Sequence, residues 1–345
     1  MNQCRYRVAV FAMIALVLTI GSACGHKDKP QEVKSVRDRI LLGAYTVPKE
    51  AYLQKIIPGF VRKWKAETGR DVFFETSFVA SGAQARAIAA GFEADIAALS
   101  LEGDIDKLAL INMVDKNWKE VPFKAMVSRS LVVGLVRAGN PKGITTWQDL
   151  TRTDVNVIYP SPKTSGGAMW VVNAIYGVGL LNASLDQAAA IDFLKRVQSR
   201  VKVMDVSGRA SVTTFEQGIG DVLLGYENEA LLRQMQGKDY EIVYLTPTMV
   251  IENPVAIVRS NVARHGNGEV VRSFVDYLWT PEAQRIFSEY GFRSVLPEVE
   301  IEFTDKFPKV KDAFTIEFLG GWEQVMNTLY SSDGIWTNVI NAQVR

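Results

Sequence analysis

The chain has 345 residues, with 39 basic against 38 acidic side chains and a formal net charge of +1. That balance leaves no electrostatic footprint for nucleic acid, and two cysteines are too few for a cysteine-rich metal centre. The length is enough for about two lobes of ordinary domain size.

Residues 1–23 read as a secretory signal peptide. Arg5 and Arg7 form a basic head, 13 mainly apolar residues run from Val8 to Ile20, and Gly21, Ser22 and Ala23 follow as a small-residue cleavage site. The apolar run is too short for a comfortable membrane span. Cleavage after Ala23 takes away two arginines and Cys4, leaving 37 basic against 38 acidic groups, a net charge of −1 and a single cysteine, so no intrachain disulfide is available. Cys24, directly after Gly-Ser-Ala, resembles the lipid-modified cysteine of a bacterial lipoprotein. Gly21 and Ala23 suit ordinary signal peptidase as well, so lipid attachment and soluble release both remain open. Residues 24–39 are polar and charged and predict a flexible tether.

Folded structure is expected from Ile40, as alternating strand and helix patterns. ILLGAY at 40–45 reads as a strand. Tyr52, Ile56, Phe60 and Trp64 then recur at i, i+4 with Leu53, Ile57 and Val61 beside them, a buried helix stripe that Pro58 should kink. DVFFETSF at 71–78 leads to SGAQARAIAAGF, where Ser81 is the expected N-cap. VNVIYP at 155–160 leads to SPKTSGGAMW, and DVLLGY at 221–226 leads to ENEALLRQM. Ser184 and Gln187 suggest a capping box for a helix reaching about Ser199, and Thr280-Pro281 should start another. Repeated strand-then-helix units argue for α/β layers with largely parallel sheets.

In such sheets ligands bind outside the carboxyl ends of strands, beside helix N-termini. Ser81, Ser165-Gly166-Gly167 and the SGRAS turn at 207–211 place hydroxyls and glycines at three such ends. Together they suggest a shared anion site built from N–H donors. A serine hydrolase is a competing reading, but the mature chain has only His26, in the tether, and His265, in a polar loop, and no G-x-S-x-G elbow. Lys163 near Ser165 reads as a solvated loop charge rather than a base. Asp104 with Asp106, and Glu227 with Glu229, stand at i, i+2 on helix starts. They do not share a face there, and the helix dipole explains them better than a metal.

The segments KTSGGAMW, SGAQARAI, EADIAAL, GNPKGI-x-x-W-x-DL, TTFEQGIGDVLLGYENEA and FPKVKDAFTIEFLGGW occur in this order from about Leu41 to the C-terminus. Together they resemble the periplasmic sulfate-binding proteins of bacterial ABC importers. The resemblance implies an α/β, two-lobed periplasmic binding protein fold, with a ligand cleft between lobes joined by crossing strands. It also implies capture of sulfate without catalysis or cofactor, and delivery to an importer permease by a monomer outside the cytoplasm. The crossings would be 130–137 and 253–260, the second lobe 138–252, and the first lobe 40–129 with 261–345. By the same resemblance the Ser81 hydroxyl is a first-lobe donor, and Ser165, Gly166 and Gly167 form the second-lobe helix start. Gly208 donates through its backbone where the family usually has Ala. Thr46 stands where the family usually has Asp, and Tyr226 where it has a Trp. That last departure leaves phosphate, thiosulfate or molybdate as alternative ligands.

Overall fold

The computed structural model describes residues 37–343. The signal peptide, Cys24 and most of the tether therefore lie outside the described residues. Ten strands are found among those described: β1 Arg37–Ala44, β2 Asp71–Phe78, β3 Ile96–Ala98, β4 Met126–Arg137, β5 Val157–Ile158, β6 Val201–Val203, β7 Val222–Tyr226, β8 Tyr240–Val243, β9 Thr248–Ile257 and β10 Ala313–Phe314. Their order is β2-β1-β3-β9-β4-β7-β5-β6, with β8 on β4 and β10 on β9. At either end the pairing is parallel: β1 with β2 and β3, and β5 with β6 and β7.

Between these two parallel halves run two long antiparallel strands. Met126–Leu131 of β4 pairs with Val250–Pro254 of β9. Val132–Val136 then pairs with β7, while Val255–Ile257 of β9 pairs with β3. Each strand thus begins among one set of neighbours and ends among another, which gives a two-lobed α/β fold with crossing strands. The mutually paired stretch overlaps the expected crossings and begins earlier in both strands.

Burial explains where each strand sits. Ile40 and Leu42 are fully buried and Leu41 nearly so, the continuous apolar run of a parallel strand covered on both faces. β2, paired only with β1, exposes much of its length, Phe73 included. The Gly166–Asn182 helix buries thirteen of its 17 residues, as expected of a helix apolar all round. It is locked by Trp170, whose indole packs edge-on against Trp322 at 4.7 Å and donates to the Ser100 carbonyl at 2.8 Å.

Two local expectations need correction, and the disturbance expected at Pro58 takes the form of a π turn. Pro58 lies in the second position of the Ile57–Thr68 helix, and the preceding Tyr52–Ile56 segment widens into a π turn. The missing N–H and bulky ring of proline disturb i→i+4 bonding, and the wider turn absorbs that. Ser184 does not cap the following helix. It takes a φ of +53°, and Asp186 is the N-cap of Gln187–Gln198, accepting from the Ala188 and Ala189 amides. Ser81 is the first residue of its helix and Ala80 the N-cap, which frees the serine side chain for tertiary contacts. Thr280 caps Pro281–Glu289 as expected, accepting from the Ala283 amide.

Candidate functional site

Strands β2, β3, β5, β6 and β7 each hand over to a helix: Ser81–Ala89, Glu102–Leu110, Gly166–Asn182, Gly208–Glu216 and Glu227–Met235. The first N–H groups of any helix have no partner within it. At Ala80, Ser165 and Tyr226 the N-cap side chain makes no capping bond; after Ala80 and Ser165 this leaves the leading amides open to an outside acceptor, whereas after Tyr226 the Asn228 amide already donates to Ser130 Oγ at 3.4 Å. Ser207 does cap its helix, accepting from the Ala210 amide, ahead of which lie the amides of Gly208 and Arg209.

A chain of close contacts joins these helix starts. A Cβ placed on Gly82 would stand 3.2 Å from the Thr164 carbonyl oxygen, so the Ser81 helix faces the loop before Gly166. On Gly166 it would fall 2.0 Å from Ser100 Oγ and 2.8 Å from Leu101 Cδ2, and on Gly167 2.8 Å from Tyr226 Cε2. The Tyr226 ring lies 6.2 Å from that of Tyr45. Two residues after Tyr45, Val47 Cγ2 is 3.8 Å from where a Gly208 Cβ would stand. Ser81, Ser165, Gly166, Gly167, Gly208 and Tyr226 are thereby brought around one place, and half-buried Thr46 lies between Tyr45 and Val47. Glycine at 166 and 167 is what permits such close approach to the helix start.

The hydroxyls divide into committed and uncommitted groups. Ser81 Oγ donates to Asp104 Oδ2 at 2.7 Å and accepts from the Ser100 amide at 3.0 Å. Its single proton is therefore already placed. The Tyr45 hydroxyl, Tyr226 hydroxyl and Ser100 Oγ are buried without a hydrogen-bond partner. Burial pushes the Tyr226 phenol well above its ordinary pKa. The nearby Ser100 and Asn253 side chains oppose that shift without reaching hydrogen-bonding geometry. Tyr45 is raised likewise, by burial first and then by Tyr226.

Most charged side chains around the site are occupied with one another, Arg86 excepted, which reaches only the Lys163 carbonyl. Arg209 holds Glu50 through two bonds of 2.8 and 2.9 Å and Glu229 through a third of 3.0 Å. Arg233 pairs with Glu229 at 3.4 Å and Glu216 at 3.3 Å, Lys107 with Asp104 at 2.9 Å, and Arg293 with Glu227. Glu227, Glu229 and Asp104 do lie in first helical turns, but ion pairs hold them, so the dipole accounts for their place and not for their partners. Burial raises the pKa of Glu229 in spite of both arginines. No group of three or more metal-ligating side chains is found among the described residues.

His265 Nδ1 lies 2.7 Å from Asp95 Oδ1. Asp95 precedes β3, whereas Ser100 follows it, so this imidazole belongs to the amino end of the strand and the serines to its carboxyl end. Lys163 is exposed, as expected, and only its carbonyl contacts Arg86, at 3.5 Å.

Sequence reasoning missed Ser100 and Tyr45, and read Asp104 only through the helix dipole. Ser100 had a readable signal: it follows β3 as Ser81 follows β2. It lies in ALSLEG between Leu99 and Leu101, both fully buried. Asp104 reaches Ser81 across 23 residues, a tertiary contact that no periodicity encodes.

Residues 50–293 match the pattern of the family described as bacterial extracellular solute-binding protein. A sulfate-binding protein of Synechocystis sp. is 37% identical over 342 residues, covering 96% of each chain. A thiosulfate-binding protein of Pseudomonas aeruginosa is 34% identical over 334 residues, 95% of this chain and 97% of its own. Among solved structures, the sulfate-binding protein SubI from Mycobacterium tuberculosis H37Rv superposes with a TM-score of 0.79 at 38% identity, over 85% of this chain and all of that one.

Proposed function

The chain belongs to the bacterial extracellular solute-binding protein family, and from that premise we propose that it captures sulfate in the cleft between its lobes and delivers it to an ABC importer. The observation that carries this reading is the convergence of uncapped helix starts and unpartnered buried hydroxyls on one place, with Arg209 and Arg233 already paired. A dianion leaving water needs compensation from many fixed dipoles when no free cation meets it. Charge-assisted hydrogen bonds contribute about 1.5–3 kcal/mol each. About six to eight of them support micromolar binding, about −8 kcal/mol, once ordering and desolvation are subtracted. The family is one of binding proteins, and the arrangement calls for no catalytic step.

In this reading the donors are the backbone amides of Thr46, Ser81, Gly166, Gly167 and Gly208 and the hydroxyls of Ser165 and Tyr226. The Ser81 hydroxyl would have to leave Asp104 to join them. The lobes would be 40–129 with 261–345, and 138–252. The C-terminal helices of the first would then also touch the second, with the Tyr330 hydroxyl 2.8 Å from Asn173 Oδ1 and Trp322 near Gly103.

Tyr226 favours a second reading in which the preferred ligand is a different oxyanion. A phenol hydroxyl can accept a hydrogen bond as well as donate one, so it tolerates a protonated ligand where an indole cannot. Calorimetry of the ligand-free protein against sulfate, thiosulfate, hydrogen phosphate and molybdate separates the two. Tightest binding of sulfate supports the first reading, and tighter binding of another anion supports the second.

We also propose that Cys24 carries a lipid anchor and that the protein acts outside the cytoplasm as a monomer. No helix among the described residues is long and apolar enough to cross a membrane, so attachment would rest on the lipid. Cys24→Ser should then move the protein from the membrane fraction to the soluble one. Soluble wild-type protein beginning at an unmodified residue 24 would count against the anchor.

A further inference from the structure

We propose that Ser100, rather than Ser81, supplies the side-chain hydroxyl of the β1–β3 side of the site, and that Ser100 and Tyr226 together set which oxyanion is accepted. The inference rests on the reading of the cleft as an oxyanion site and adds a residue and a ligand test to it.

Three observations carry it. First, Ser81 Oγ is saturated on its donor side, because its proton goes to Asp104 Oδ2 at 2.7 Å, and Asp104 is itself held by Lys107 at 2.9 Å. Releasing that hydroxyl toward an anion would strip a buried carboxylate of a partner. Second, Ser100 is only 1% exposed and its backbone is fixed at both ends. Its amide donates to Ser81 Oγ, and its carbonyl accepts from Trp170 Nε1 at 2.8 Å and Asn253 Nδ2 at 3.0 Å. Its hydroxyl nevertheless has no partner, and a buried hydroxyl without one costs free energy that a bound ligand can return. Third, that hydroxyl is aimed at the helix start that presents Gly166, being 2.0 Å from where a Cβ on Gly166 would stand.

Tyr226 is the natural complement. Its ring edge lies against Gly167 as Ser100 lies against Gly166, and its hydroxyl is also unpartnered. Two rotatable hydroxyls flank the same two glycines. Toward sulfate, which carries no proton at neutral pH, both donate. Toward a singly protonated oxyanion such as hydrogen phosphate, one can turn to accept a hydrogen bond from the ligand's O–H while the other donates. The pair therefore permits a protonated anion at the cost of one donor, which predicts a preference for sulfate that is finite rather than absolute.

The test is calorimetry of the full mature protein with sulfate and with hydrogen phosphate at neutral pH, for wild type, Ser100→Ala, Tyr226→Phe and the double variant. The melting temperature of each is taken without ligand. Ser100→Ala should weaken sulfate binding at least about tenfold while leaving the ligand-free melting temperature unchanged or raised, because the hydroxyl has no partner to lose and its burial no longer goes uncompensated. In the double variant hydrogen phosphate should fall further than sulfate, since neither acceptor remains. A Ser100→Ala protein that binds sulfate within twofold of wild type overturns the proposal. So does a loss of affinity accompanied by a lowered melting temperature, which marks a structural role. If the alanine variant does not fold, Ser100→Cys, which keeps the volume and offers only a weak donor, is read by the same criteria. A wild-type protein that binds no oxyanion fails the underlying reading instead, and the two failures are thus distinct.

Discussion

At the scale of single residues, the three glycines of the site are not equivalent. A Cβ at Gly208 meets only Val47 Cγ2, at ordinary contact distance. Gly208→Ala keeps the backbone N–H and should bind the oxyanion within about twofold of wild type. It should also gain about 0.4–1 kcal/mol of stability from a less mobile unfolded chain, read by calorimetry and urea unfolding. At Gly167 the same methyl would stand 2.8 Å from Tyr226 Cε2 and must push the ring aside. Gly167→Ala should therefore cost about tenfold or more in affinity. Equal affinities for the two variants would remove position 167 from the site. Gly166 is tighter still, so a valine there disturbs Ser100 and Leu101 as well as any ligand, and its effect on affinity would not isolate the helix start.

Among elements, helix starts decide both what was legible and what was not. The handover from strand to helix was readable at Ser81, at Ser165 to Gly167 and at 207–211, because glycine and hydroxyl residues punctuate an apolar pattern there. Which side chain caps a helix was less readable, since it depends on local backbone geometry. Ser184 fits a capping box in sequence, yet its positive φ turns it away and Asp186 does the work. Asp186→Ala should lose about 0.5–2 kcal/mol of stability, and Ser184→Ala should lose much less, as measured by chemical unfolding. The reverse ranking would restore the box. The same limit applies to Ser81, whose hydroxyl was read from its place on a strand end while its proton was claimed by a carboxylate from another helix.

For the whole molecule, the contact between Glu50 and Arg209 joins the helical segment after β1 to the helix before β7, across 159 residues of chain. Two parallel bonds of this kind are directional and clamp one half of the sheet assembly to the other. Burial would raise the pKa of Glu50, but the Arg209 bonds outweigh it and hold the carboxyl below its usual range. A lowered carboxyl pKa stabilises the paired state above the ordinary Glu value, about 4.3. That contribution is lost as pH falls through the lowered value. Glu229 runs the other way, its raised pKa leading it to take up a proton at higher pH and leave Arg209 to Glu50 alone. Glu50→Gln should weaken oxyanion binding at neutral pH by about fivefold, for about 1 kcal/mol of a partly exposed pair. It should also flatten the loss of affinity in acid. Affinities measured between pH 4 and 8 that keep the same profile in the variant would mean the pair does not hold the lobes together.

The central claim is that an oxyanion is held between the lobes by backbone amides and hydroxyls, with no cation of the protein touching it. A crystal structure of the protein grown with sulfate tests this most directly. The account predicts one sulfate within hydrogen-bond distance of the amides of Gly166, Gly167 and Gly208 and of the Ser100 and Tyr226 hydroxyls, with Arg209 still paired to Glu50 and Glu229. A sulfate bound by the Arg209 guanidinium, or seated away from these helix starts, would contradict it.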